Sequence, residues 1–443
     1  MGQKRREFIK TISVGSAGLA LNGLILPVNS FANVLGANDK LSIAIMGTNS
    51  RGNYLAEKFA QAENTEISYI CDVDSRVLKK TTKLIYKKTG KKPKAEKDIR
   101  KVLEDKNVDV LVIAAPDHWH APAAIMALQA GKHVYVEKPC SQNPREGELL
   151  VEAQKKYGKI VQMGNQQRSS YESIEAVKLI KEGIIGNAYY GKAWYDNNRG
   201  SIGYGKETPV PGWLDWDLWQ GPAPRKKYKD NYVHYNWHWF WHWGTGEILN
   251  NGTHEVDICR WALGVDYPVK ASSQGGRYHF KDDWEFYDTQ VASFDFKEGK
   301  TINWEGKSCN NSKLYNRGRG SAIYGTDGTA IIDRNGYEIY DNSNKLIKEA
   351  KAGKANATMN KVGGGDLDGL HITNFLNAIR KGEKQHSPID EGNKSVTLCQ
   401  LGNIAQKMQR TLNIDPLSGR IVNDNEAMKM WGREYESGWE IKV

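Results

Sequence analysis

The sequence offers few of the features that would cross-link a fold or tie it to a charged polymer. It holds five cysteines in 443 residues, Cys71, Cys140, Cys259, Cys309 and Cys399. That number is odd and no two stand as C-x-x-C, so neither a disulfide framework nor a structural zinc site is indicated, and no metal is assigned. No repeat period is present. The net charge of +10 is spread over lysine-rich stretches such as Leu78 to Lys92. That distribution reads as a solvated helix face rather than a nucleic-acid stripe. Long apolar runs are missing from everything after the N-terminus, which leaves no stretch that would span a membrane.

The N-terminus differs. Lys4-Arg5-Arg6-Glu7-Phe8-Ile9-Lys10 places paired arginines before an apolar pair and a lysine. A moderately apolar run from Ile12 to Val28 follows, and Ser30-Phe31-Ala32 offers a small-x-small cleavage site. This looks like a twin-arginine export signal over residues 1–32, with residues 33–40 as a linker and the periplasm as the destination. Its removal takes away four basic residues and one acidic one, so +10 becomes +7.

From Leu41 the pattern alternates. Short apolar runs (Leu41 to Met46, Ile67 to Cys71, Val108 to Ala114, His133 to Val136, Ile160 to Met163) read as buried strands. Helical stretches stand between them, among them Asn53 to Ala62, Ser75 to Lys88, Ala121 to Ala130 and Pro144 to Tyr157. Strands alternating with helices at this spacing predict an α/β Rossmann domain, a doubly wound parallel sheet, over residues 41–164. After Gly164 the strands crowd together from Ala188 to Tyr340. A second α+β domain on a large, mostly antiparallel sheet is expected over residues 165–443, its last helices packing back on the first domain. Ser343 to Gly365 is polar and reads as a loop.

Three features carry chemistry. First, Gly47-Thr48-Asn49-Ser50-Arg51-Gly52 joins the first strand to a helix, which points backbone N–H groups at a pyrophosphate. The middle glycine of G-x-G-x-x-G is missing, replaced by Asn49. Asp72 stands twenty residues after Gly52, where an acid bonds the adenosine ribose hydroxyls and favours NAD. Asp72 could instead cap the next helix, although Asp74 could fill that role, and Arg76 keeps NADP open. Second, Pro116-Asp117-His118-Trp119-His120 follows the third of these strands at the same edge and reads as a loop that can close over the cofactor, although Asp117 could equally cap the following helix while the histidines pack locally. Third, Glu137-Lys138-Pro139 ends a strand, because proline cannot donate to a ladder. That leaves Lys138 at the carboxyl edge of the sheet, where ligands bind.

Together these motifs resemble the Gfo/Idh/MocA family of NAD(P)-dependent oxidoreductases, with Glu137-Lys138-Pro139 the most specific of them. The resemblance continues through Gly244 to Glu247, Asn250 to Asp257 and Gly325 to Gly328. It implies that Lys138 touches both nicotinamide and substrate and that His254 is its acid/base partner. It also implies that Pro116, His118, His120, Glu137 and Asn165 stand with the glycine turn around the cofactor, and that the chain forms a homo-oligomer. One departure matters. The family's aspartate four residues before the histidine is here Asn250. An amide can orient an imidazole but brings no charge, which shifts proton chemistry toward Lys138.

An aromatic run lies between Trp213 and Trp243. Trp213, Trp216 and Trp219 precede the segment Tyr232 to Trp243. Trp237, His238, Trp241 and His242, with Asn251, are candidates for contact with a sugar, although several tryptophans would serve equally well as core. His234, His238 and His242 recur every four residues, but no carboxylate or cysteine pattern makes them a metal site. The reading is a hydride transfer between a sugar, glycoside or polyol and a tightly bound NAD. The rivals are a redox-neutral NAD-dependent glycoside cleavage and a non-catalytic carbohydrate-binding protein.

Overall fold

The computed structural model describes residues 40–353 and 366–443. The predicted export segment, residues 33–39 of the linker and residues 354–365 of the polar loop lie outside them. In chain order the first elements are β1 (Leu41–Met46), α1 (Arg51–Gln61), β2 (Thr65–Cys71), α2 (Ser75–Thr89), β3 (Lys94–Glu96), α3 (Ile99–Leu103), β4 (Val110–Ile113), α4 (Asp117–Gln129), β5 (His133–Val136), α5 (Pro144–Tyr157) and β6 (Val161–Met163). Then come α6 (Tyr171–Lys181), β7 (Ala188–Asp196), α7 (Trp216–Gln220), α8 (Gly246–Asn250), α9 (Gly252–Leu263), β8 (Lys270–Gly276), β9 (Thr289–Phe296) and β10 (Lys300–Lys307). The chain ends with β11 (Arg319–Gly325), β12 (Gly328–Asp333), β13 (Gly336–Asp341), β14 (Leu346–Lys351), α10 (Leu367–Lys381), α11 (Ile389–Met408), β15 (Leu412–Asn413) and α12 (Asn425–Met428).

The first six strands form one parallel sheet in the order β3-β2-β1-β4-β5-β6. Alternate residues of a strand face opposite sides, and both sides are covered here. Ile43 and Ile45 of β1 join Val110, Val112 and Tyr135 beneath Leu55 and Phe59 of α1 and Phe375 of α10. Ala44 and Met46 face the other way, into the core that holds Leu111, Ile113, Ile125, Leu128 and Leu150. A helix from the far end of the chain therefore closes one face of the first sheet, with Phe375 set edge-on to Tyr135 at 5.7 Å.

The other nine strands form a second sheet in the order β14-β13-β12-β11-β7-β10-β9-β8-β15. All its pairings are antiparallel except β7 with β10. One face packs on α9 and α11, with Ala193, Ile302 and Ile323 against Val256, Cys259 and Leu398 in the main core. Trp194, Ala322 and Ile331 form a small cluster of their own. Lys307 pairs with Asp196 across the parallel seam, and Lys192 pairs with Glu305.

Two expectations need correction. Pro116 to His120 is not a loop: Asp117 already begins α4, because Pro116 holds the extended conformation of an N-cap at φ −60° and ψ 154°. The helix that the sequence places over Glu255 to Leu263 starts earlier: α9 begins at Gly252 and takes in His254. Strand β3 is an addition, since its Lys94-Ala95-Glu96 has no apolar pattern to announce it.

Candidate functional site

The sheet order reverses beside β1, where β2 leads one way and β4 the other, and this opens a crevice at the carboxyl ends of the strands. The glycine turn fills it. Gly47 has φ +78°, and a Cβ there would stand 2.6 Å from Ala115 Cα. A Cβ on Gly52 would stand 1.8 Å from the Gly47 carbonyl oxygen. Both glycines are required by the close packing of turn, helix and β4. Asn49, in the place of the middle glycine, borders the cavity, so a side chain is accommodated there.

Asp72 braces this turn. Its Oδ2 accepts from the Thr48 backbone N–H at 2.5 Å and the Thr48 hydroxyl at 3.2 Å, and its Oδ1 accepts from Asp74 N–H at 2.9 Å. Burial pushes the Asp72 carboxyl up, against these hydrogen bonds. Asp74 is the N-cap of α2, accepting from Arg76 and Val77 N–H, so the capping role does not fall to Asp72. Arg76 pairs with Asp74 at 2.8 Å and lies over the Trp213 ring at 3.4 Å.

At the end of β5, Glu137 accepts from Arg51 Nε at 2.8 Å, and the same guanidinium reaches Asp368 of α10 at 2.5 Å. Arg51 thus ties the glycine turn to the E-K-P motif and to the C-terminal helix. Lys138 follows, joined to Pro139 by a cis peptide. Its Nζ donates to the Asn250 backbone carbonyl and, at 3.2 Å, to the Asn250 side-chain oxygen. Burial lowers the Lys138 pKa; Glu137 and Asp117 oppose this, and Arg319 and Arg51 add to it.

Asn250 ends α8 and His254 lies in the first turn of α9, with Asn251 at the junction donating to Glu247 at 2.5 Å. His254 Nδ1 is buried without a partner. Burial, then Arg334, Lys138, Arg319 and Arg51, hold this imidazole well below its ordinary pKa, so it is neutral at pH 7. Arg319 donates to Glu255 at 2.7 Å, and Arg199 donates to Glu247 at 2.6 Å and to the Tyr235 hydroxyl at 2.6 Å. Arg334 is pushed down to about 9 by burial and by Arg319.

A single cavity of about 530 Å³ runs from Gly47, Ser50 and Asp72 at one end to Lys138, Asn250 and His254 at the other. Of the predicted residues it also takes in Asn49, Arg51, Pro116, His120, Glu137, Trp237, His238 and Asn251. Thr48 and Gly52 sit behind the turn, outside the lining. Four predictions fall elsewhere. His118 is fully buried, its Nε2 3.0 Å from the Trp219 carbonyl. Asn165 is buried with both side-chain polar atoms unpartnered. Trp241 packs on Phe286 with ring centroids 4.0 Å apart. His242 Nε2 lies 2.7 Å from the Pro224 carbonyl. Trp241 and His242 are thereby turned out of the cavity into a second, separate cleft. His120 borders the cavity but has both ring nitrogens engaged, at 2.6 Å from the Pro139 carbonyl and 2.7 Å from the Ala115 carbonyl. Among the described residues no group of three or more His, Cys, Asp or Glu is placed to hold a metal.

Sequence reasoning missed Tyr195, Arg199, Arg319 and Arg334, all of which line the cavity. The only signal was the glycine next to Arg319 and the Asn335-Gly336 turn after Arg334. The aromatic run was only partly a ligand wall. Trp216, Trp219, Tyr228, Tyr232, Phe240 and Trp243 form a core of their own for residues 197–243, which hold little regular structure.

The residues present fit a dinucleotide. A glycine turn with no room for side chains at its two ends, an acid braced beside it and an unpartnered buried imidazole at the far end share one cavity. Comparison with known families agrees. Residues 41–165 match the oxidoreductase family described as an NAD-binding Rossmann fold, and residues 178–441 match its C-terminal alpha/beta domain. The chain belongs to the Gfo/Idh/MocA oxidoreductase family. A glycosyl hydrolase family 109 protein of Shewanella sp. strain ANA-3 is 26% identical over 208 residues, which is 43% of this chain and 45% of that protein. An alpha-N-acetylgalactosaminidase of Shewanella oneidensis is 25% identical over 208 residues, with the same coverage of 43% and 45%. The match thus spans less than half of each of these relatives. Among solved structures, a levoglucosan dehydrogenase with NADH and levoglucosan has a TM-score of 0.65 at 17% identity, covering 84% of this chain and 99% of that one. The WlbA dehydrogenase of Bordetella pertussis, with NADH and UDP-GlcNAcA, has a TM-score of 0.63 at 19% identity, covering 85% and 99%. At these identities the likeness establishes the shared fold.

Proposed function

We propose that this Gfo/Idh/MocA oxidoreductase transfers a hydride between a hydroxyl-bearing carbon of a sugar, glycoside or polyol and bound NAD. One observation carries the reading. Lys138 Nζ, its basicity lowered, is held by Asn250 at the opposite end of the cavity from the glycine turn. NAD, when bound, would supply the hydride acceptor. Gly47, Asn49 and Ser50 would face its pyrophosphate, and Asp72 its ribose hydroxyls. Lys138, once deprotonated, takes the proton of the substrate hydroxyl. His254 is neutral and has no carboxylate behind it, so it orients that hydroxyl and serves as the weaker base. Fixing donor and acceptor in one closed site accounts for about 7–11 kcal/mol of such catalysis in favourable cases. The test is a screen of sugars, glycosides and polyols for nicotinamide reduction, with Lys138→Ala as control. Undiminished turnover by that variant would refute the assignment.

A second reading has its own support in the glycosidase relatives. In it, a transient keto sugar loses its glycosidic substituent by elimination, takes up water across the double bond so formed and is reduced again, so that aglycone appears without net NADH. Measuring released aglycone against NADH on one glycoside separates the two. We further place the protein in the periplasm, exported folded by the twin-arginine route with NAD already bound, on the strength of Arg5-Arg6 and the apolar run after them. Mass spectrometry of the exported protein is expected to find the dinucleotide, and its absence would count against retention. We also expect a homo-oligomer, which light scattering checks.

A further inference from the structure

The cavity holds a second histidine whose geometry differs from that of His254. His238 lies in a short 3-10 turn, Asn236–Trp239, at the substrate end. Its ring is fixed on three sides. It stacks on Trp237 with centroids 3.6 Å apart and 18° between planes, and it lies 4.6 Å from the Tyr235 ring and 5.7 Å from Trp239. Its Nδ1 is 2.5 Å from the Tyr235 carbonyl oxygen. A carbonyl can only accept, so Nδ1 carries the proton. The carbonyl is aimed at the ring because Tyr235 has φ +82° and ψ −47°, a conformation that L-residues rarely adopt. Arg199 holds the Tyr235 hydroxyl from the other end, and Glu247 anchors Arg199. Strain in the backbone, an ion pair and a stack thus converge on one imidazole.

The remaining nitrogen, Nε2, makes no hydrogen bond among the described residues, and it is absent from the atoms sealed away without a partner. Burial, then Lys138, Arg199 and His120, lower the ring's pKa to about 3 despite the Tyr235 bond. The ring is therefore uncharged near pH 7, with a lone pair where its neighbours in the cavity, Lys138 and Arg199, are donors.

We propose that His238 is a specificity-determining residue: its Nε2 accepts a hydrogen bond from a second substrate hydroxyl, not the one that is oxidised, and so selects a ligand with a donor at that position. This rests on the carbohydrate reading above. An acceptor that the bound ligand seals from water discriminates strongly against an analogue that leaves it unpaired.

The test has two arms. In the first, ¹⁵N-labelled protein is examined by NMR at pH 7, with His238→Gln used to assign the ring. A protonated Nδ1 and a pyridine-type Nε2 are expected; an Nε2–H tautomer or an imidazolium overturns the proposal. This arm needs no substrate and reads His238 even if the oxidoreductase assignment fails. The second arm compares D-glucose with its 2-, 3-, 4- and 6-deoxy derivatives as hydride donors or as competitive ligands. One deoxy sugar beyond that lacking the reacting hydroxyl is expected to be about 10- to 100-fold weaker with the wild type. That discrimination should vanish in His238→Leu and return in part in His238→Gln, whose amide oxygen falls near the Nε2 position. Equal loss for every sugar in His238→Leu, or retained discrimination, would show a packing role and refute the assignment. Turnover by none of the sugars would refute the carbohydrate reading and this proposal's substrate with it, leaving only the tautomer.

Discussion

Replacing Asn250 by aspartate puts a charge where the structure has an amide, and it separates the two candidate bases. The Asn250 side-chain oxygen accepts from Lys138 Nζ at 3.2 Å. A carboxylate at the same distance would attract the ammonium by roughly 5 kcal/mol at an effective dielectric of about 20. Arg319 and Arg51, which already depress the Lys138 pKa, would share that charge, so the net rise should be about 1–3 pH units. Lys138 must be neutral to take a proton. The acid limb of kcat/KM, which lies below the ordinary lysine value of about 10.4, should then move up by about 1–3 units. At pH 7 the rate should fall by roughly 10- to 1000-fold, following the neutral fraction of Lys138. The opposite holds if His254 is the base, since a carboxylate four residues away raises imidazole basicity. The assay is single-turnover reduction of bound NAD, followed in absorbance from pH 6 to 10. A faster rate at pH 7, or an unmoved limb, would refute the role given to Lys138.

Three further outcomes are expected. Gly47→Ala forces a side chain onto the Ala115 backbone at positive φ, so the variant should lose NAD binding in calorimetry and lower the melting temperature. Asp368→Ala leaves the Arg51 guanidinium without one of its two partners and should cost about 3–5 kcal/mol in urea unfolding. Burial works against the Asp368 carboxylate, yet Arg51 holds its pKa below the ordinary range. Its stabilising effect should therefore be complete above about pH 3.9 and fade as the pH falls through the folded value, a fading that Asp368→Ala should lack. Asp72→Ala strips the acceptor from the Thr48 and Asp74 N–H groups, so the affinity for NAD should drop about 10-fold or more in the same titration.

The first sheet was legible because its central strands are buried on both faces. Ile43-Ala44-Ile45 and Val110 to Ile113 could only be unbroken apolar runs. Lys138 was legible for the same reason, as a charge ending such a run. The cationic wall was not. Arg319 and Arg334 are single residues at the ends of β11 and β12, and a neighbouring glycine or turn is too common to distinguish them from solvated arginines. Their place in the site comes from how the second sheet meets the first. Trp241 and His242 were misread because residues 197–243 lack a regular period, so the sequence could not say which ring faces the ligand and which faces the core. His238, four residues from His242, is turned into the cavity by the positive φ of Tyr235, a backbone feature that no side-chain pattern announces.

The aromatic core beside the cavity also makes the protein its own optical gauge. Trp219 borders the cavity, stacks on Trp216 at 4.8 Å and meets Trp243 edge-on at 5.3 Å. Excitation absorbed anywhere in such a cluster migrates among the indoles within the excited-state lifetime. A reduced nicotinamide absorbs where indole emits, and its oxidised form does not. The emission of the whole cluster therefore dims or brightens with the redox state of the ligand next to one of its members, so the direction of hydride flow can be watched in the unlabelled protein.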